Sequence, residues 1–83
     1  MKITFKLFAT LTDYLPPERN YNALALDVAP DTTIGDLVER FRLPPKQVHL
    51  VLVNGIFIAP QLRTSRILSD GDVLAIWPPV AGG

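Results

Sequence analysis

Three proline pairs, Pro16-Pro17, Pro44-Pro45 and Pro78-Pro79, divide the chain and set most of what it can fold into. Two successive prolines fix two φ angles and remove two backbone donors, so neither a helix interior nor a central strand runs through them. Every regular element must fit between these breaks. The segment before Pro16 opens with KITFKLF, where Ile3, Phe5 and Leu7 alternate with Lys2, Thr4 and Lys6. That period of two predicts a half-buried strand with one polar face. ATLTDYLPPERNYN then reads as a long connection.

Between Pro17 and Pro44 the same period returns in ALALDV, with Leu24, Leu26 and Val28 inward, and a second strand antiparallel to the first is expected. Residues 34–41 follow a period of 3.6 instead. Ile34, Leu37, Val38 and Phe41 form one stripe, Thr33 and Asp36 make a T-x-x-D capping pair, and Arg40 and Arg42 lie near the end, where the helix dipole favours cations. Gly35 in the first turn costs a little, and Pro44-Pro45 is read as the stop.

Beyond Pro45, VHLVLVNGIFI predicts strand, Asn54-Gly55 turn, strand, and LSDGDVLAIW predicts a turn at Asp70-Gly71 followed by a last strand from Val73 to Trp77. The order strand, strand, helix, strand, short strand, strand leaves one helical stripe to cover one face of a mixed sheet. The expected class is α+β, a β-grasp of the ubiquitin-like kind. About five strands carry one main helix on one face, with the first and last strands as central neighbours. Residues 1–79 form the domain and residues 80–83 a flexible tail.

Eighty-three residues bury only roughly 60–65% of the surface of the unfolded chain, enough for one core and little room for an enclosed active site. Eight basic residues balance eight acidic ones and no basic run occurs, which argues against nucleic acid as a partner. Cysteine is absent, so a disulfide framework, a thiol nucleophile and a cysteine-bound zinc are excluded. His49 is the one histidine, and Asp70 and Asp72 read as flanks of a turn, so no metal site is expected. No phosphate loop and no Ser/His/Asp set is present. No signal peptide and no stretch approaching the roughly 20 residues of a membrane span occurs. The chain reads as a cytoplasmic protein that binds no membrane and has no catalytic machinery of its own.

The last strands are apolar at both parities. Val51, Val53, Leu74 and Ile76 are assigned beneath the helix, which leaves Leu50, Leu52, Ala75 and Trp77 on the outer face as a docking patch. Tyr14, Leu15 and Pro16 are expected either to cover that patch or to extend it.

The closing segment SDGDVLAIWPPVAGG, with KITFKLFATL, LVNG and TIGDLVERF at matching places, resembles the MoaD/ThiS sulfur-carrier family over nearly the whole chain, and MoaD more than the shorter ThiS. LTDYLPPERN is longer than the usual first connection and resembles ubiquitin-like segments found fused to nuclease-type domains. The family resemblance implies that the carboxylate of Gly83 is the reacting group. A ubiquitin-activating-type adenylyltransferase (MoeB/ThiF-like) would use ATP and magnesium to adenylate it. A sulfur donor such as a cysteine desulfurase or rhodanese would then convert it to a thiocarboxylate. The implied acceptor route is molybdopterin synthesis for the molybdenum or tungsten cofactor, with the chain as small subunit beside a MoaE-like large subunit. A ThiS-like role in thiamine or other sulfur metabolism, and a protein modifier joined to lysines through Gly83, are the alternatives. Gly82 and Ala81, with Val80, Pro79 and Pro78 before them, would thread the partner's channel. Glycine lacks a Cβ and fits a narrow passage, and the prolines limit the entropy lost on extension.

Overall fold

The computed structural model describes residues 1–80, so Ala81, Gly82 and Gly83 lie outside the described residues. Strand β1 (Lys2–Leu7) is followed by a 3₁₀ segment (Ala9–Tyr14), β2 (Ala23–Asp27), the helix α1 (Ile34–Arg40), β3 (Leu50–Val53), β4 (Ile56–Phe57) and β5 (Val73–Trp77). The sheet order is β2-β1-β5-β3-β4. β1 and β5 run parallel at the centre, with Phe5 opposite Leu74, and the other pairings are antiparallel. This is the mixed sheet expected from the sequence, with the first and last strands adjacent. No helix among the described residues is long and apolar enough to cross a membrane.

One face carries the core. Ile3, Phe5 and Leu7, then Leu24 and Leu26, Val51 and Val53, and Leu74 and Ile76 are buried beneath Ile34 and Leu37 of α1. Phe41 adds its ring at 5.0 Å from that of Phe5. The helix begins where its cap predicts: the Asp36 backbone N–H donates to Thr33 Oγ1 at 3.1 Å and the Thr33 N–H to Asp36 Oδ2 at 2.9 Å.

The helix ends before the prolines act. Arg42 has φ 56°, its N–H donates to the Glu39 carbonyl, and the Leu43 N–H donates to the Val38 carbonyl at 2.9 Å. This is a Schellman ending, and buried Leu43 supplies the apolar residue that accompanies it. Pro44-Pro45 therefore follows the stop instead of causing it. A left-handed L-residue costs roughly 1–2 kcal/mol, partly offset by the greater unfolded-state entropy of glycine. Arg42→Gly is expected to raise stability by about 0.5–1 kcal/mol, read as a higher urea midpoint at unchanged slope.

Two turns are tied to each other and to β1. Asn54 (φ 52°) and Gly55 (φ 82°) make the β3–β4 turn, and Gly71 (φ 85°) makes the turn before β5. Asn54 Nδ2 donates to Asp72 Oδ1 at 2.9 Å, and the Val73 N–H donates to Asn54 Oδ1 at 2.8 Å. Asp72 also accepts from the Ser69 N–H, while Asp70 accepts from the Lys2 N–H. The Asp70-Gly71-Asp72 segment is thus turn chemistry that fixes where β5 starts.

Candidate functional site

β5 lies between β1 and β3 and leads directly into Pro78-Pro79-Val80, so the chain leaves from the middle of the sheet. The register sets out what surrounds that exit on the face away from α1. Lys6, Ala75, Leu52 and Phe57 stand opposite one another in a row across β1, β5, β3 and β4, and Leu50 stands opposite Trp77 in the next row. Leu50 is 36% exposed and Phe57 56% exposed; Leu52 and Trp77 are half-buried. Neither row contains a carboxylate.

All four residues assigned to docking therefore share the outer face, yet they are not equally accessible. Ala75 is only 7% exposed. It sits on the central strand between longer side chains and forms the floor of the patch without being available for contact. Val51, Val53, Leu74 and Ile76 point the other way and are buried.

Two further aromatic residues, Phe57 and Phe8, join this face. Phe57 is placed there by its pairing with Leu52. Phe8 continues the parity of Lys2, Thr4 and Lys6, so the first strand's outer face is polar only as far as Lys6. The Phe8 ring lies 4.0 Å from that of Trp77, with the planes 8° apart. The signal was present in the alternation of KITFKLF, which ends on an apolar residue of the polar parity.

The long first connection does not cover the patch. Leu11 and Leu15 turn to the opposite side and are buried in the helix-side core. Tyr14 lines an open groove with Thr10, Pro44, Pro45 and Lys46. The Arg19 guanidinium donates to the Thr12 carbonyl and closes the connection on itself.

The segment leading into β3 is held equally firmly. Arg63 donates to the carbonyls of Ile58 (3.3 Å), Val48 (3.1 Å) and His49 (3.0 Å). Burial pushes its guanidinium below the ordinary arginine value, with carbonyl oxygens holding the charge. His49 in turn donates its backbone N–H to the Trp77 carbonyl at 3.1 Å. The imidazole is exposed, and among the described residues no three His, Asp or Glu side chains gather as a metal site requires.

A family model described as Mut7-C ubiquitin matches residues 1–82. No curated protein matches the chain. Among solved structures, SAMP1 from Haloferax volcanii, a small archaeal modifier protein, is 29% identical with full coverage of both chains and a TM-score of 0.68. The HVO 2177 protein of Haloferax volcanii is 25% identical over 100% of this chain and 87% of its own, with a TM-score of 0.77. A chain in the protein-protein complex of subunits 1 and 2 of molybdopterin-converting factor from Helicobacter pylori 26695 is 19% identical, with full coverage of both and a TM-score of 0.61, a likeness of fold. The architecture is the ubiquitin-like β-grasp that these proteins share.

Proposed function

The chain belongs to the Mut7-C ubiquitin family, and on that footing we propose that it is a carrier that docks through the outer sheet face and reacts through the carboxylate of Gly83. One observation carries the reading: a central strand delivers Pro78-Pro79-Val80 beside an open apolar face. A partner gripping Leu50, Leu52, Phe57 and Trp77 would meet Pro78-Pro79-Val80 beside that grip. Pro78 and Pro79 favour an extended path, which lowers the entropy lost on entering a channel.

The chemistry follows from a carboxylate, which is a poor acyl donor until its oxygen is given a better leaving group. A carboxylate oxygen of Gly83 attacks the α-phosphorus of ATP on an adenylating partner, pyrophosphate leaves, and an acyl adenylate forms. Magnesium there offsets the phosphate charge. A sulfur nucleophile from a desulfurase or rhodanese then attacks the carbonyl, and AMP leaves. The attacking atom is the terminal sulfur of the donor's persulfide, so an acyl disulfide forms. A second thiol then attacks the donor's cysteine sulfur, a disulfide forms there, and the bond to the acyl sulfur breaks to release a thiocarboxylate, which can pass its sulfur to a pterin precursor on a synthase large subunit. The complex of the two Helicobacter pylori subunits supports that last partner by likeness of fold.

A second reading shares the first step. The resemblance to a small archaeal modifier protein supports attack of a lysine amine on the acyl adenylate, giving an isopeptide bond in place of a thiocarboxylate. The docking face serves both.

Leu52→Asp tests the docking half. Leu52 is half-buried outside the core cluster, so the variant is expected to remain folded at a cost of about 0.5–1.5 kcal/mol. Its affinity for the activating enzyme is expected to fall at least about tenfold, the size of a central interface residue. Calorimetric titration of the folded variant reads this, and unchanged affinity would mean that the outer face is not the docking surface.

A further inference from the structure

We propose that Phe8 is a positioning residue that fixes the direction in which the chain leaves the sheet; this rests on the carrier reading above. The root of the exit is held from both sides. On the β1 side the Phe8 N–H donates to the Ile76 carbonyl at 3.2 Å and its ring stacks on Trp77 at 4.0 Å. On the β3 side the His49 N–H donates to the Trp77 carbonyl at 3.1 Å.

The chain accepts strain next to this stack. Ala9 has φ 53°, a left-handed conformation that an L-residue avoids, and it turns the backbone from Phe8 on the outer face to Leu11 in the core. A residue with ordinary φ at position 9 would not make that turn. The stack is a place where local backbone cost is offset by tertiary contact.

What the stack controls follows from the two prolines. A residue before proline is confined to extended conformations, so Trp77 and Pro78 have little freedom in ψ. The path of Pro78-Pro79-Val80 then depends on how Trp77 itself is held. Extended chain advances roughly 3.1 Å per residue, so a swing of about 20° at Trp77 moves Val80 by roughly 3 Å, close to one whole residue. An aromatic clamp on Trp77 is therefore a clamp on the tail. Phe8 raises the fraction of molecules whose tail already points into the partner's channel, and the apparent affinity rises with that fraction.

Trp77 is the one tryptophan, so its fluorescence reports on this root alone. In the free full-length chain, time-resolved polarisation of Trp77 is expected to decay with overall tumbling only. Phe8→Leu, which keeps an apolar side chain and loses the ring, is expected to add a nanosecond component, and Phe8→Tyr is not. Phe8→Met serves should the leucine variant lose the fold. With the activating enzyme and ATP, the same leucine or methionine variant is expected to raise KM for the chain about three- to tenfold at unchanged kcat, with Phe8→Tyr restoring it. Unchanged Trp77 polarisation in the folded variant would overturn the proposal with no partner needed. A freer Trp77 with unchanged KM would overturn it too. Failure of the wild-type chain to be adenylated would count against the carrier reading, and the polarisation result would still decide the role of Phe8.

Discussion

Removal of Gly83 is expected to lower thiocarboxylate formation by more than about 100-fold, because a one-residue change moves the reacting carboxylate by roughly 3.3 Å and near-attack geometry tolerates much less. The same deletion is expected to leave the melting temperature within about 1 °C, since it removes none of the described core contacts. Among the described residues the last side chain of the core cluster is Ile76, and Val80 is already 78% exposed. Gly82→Val is expected to fail in the same assay by adding a branched side chain where a channel sized for backbone must close around the chain. The measurement compares each purified variant with wild type in the presence of activating enzyme, ATP and a sulfur donor, alongside thermal unfolding. Normal product from a chain lacking Gly83 would mean that the reacting residue lies elsewhere.

Phe5→Ala is expected to have the largest effect on stability, about 3–5 kcal/mol. Phe5 is fully buried at the middle of β1, opposite Leu24 on one side and Leu74 on the other, and its ring meets that of Phe41. Truncation leaves a cavity at the junction of sheet and helix that neighbours on two paired strands cannot move to fill. A domain of this size has roughly 4–12 kcal/mol in total, so the loss is a large share of it. Phe57→Ala, the same chemical change on an exposed outer-face position, is expected to cost within about 0.5 kcal/mol. Urea unfolding followed by circular dichroism reads both. Equal costs at the two positions would contradict the assignment of faces.

The strands and helix were legible because their periods are local. Lys2 to Leu7 alternates, the Ile34 stripe repeats at helical spacing, and Thr33 and Asp36 announce the helix start by a contact three residues long. The parity of Val51 and Ile76 against Leu52 and Trp77 was legible too, because one helical stripe can cover only one face. The rest depends on contacts between distant residues or on residues other than glycine in left-handed conformations. The inward turn of Leu11 and Leu15 hinges on Ala9 in a left-handed conformation, for which the sequence carries no glycine or asparagine signal. Arg42 is likewise an unusual residue for the left-handed position it holds, so the sequence points to the prolines as the helix stop. The strand after Asn54-Gly55 shrinks to Ile56–Phe57, since Pro60 follows closely and Ile58 turns into the core. Phe8 shows in the sequence only as an apolar residue at the end of the polar parity, and it takes the pairing of β1 with β5 to bring it onto Trp77.

Gly83, the residue proposed to react, lies outside the described residues, and mass spectrometry of the chain isolated from its native cells reads its chemical state without a structure. The carrier reading predicts a population ending at Gly83 whose mass exceeds that of the free acid by the difference between sulfur and oxygen, and which reverts to the free acid on hydrolysis. The modifier reading predicts instead peptides in which a lysine of another protein carries the residues Ala81-Gly82-Gly83 through an amide. A native population found only as the unmodified acid, with no conjugate, would contradict both forms of activation at Gly83.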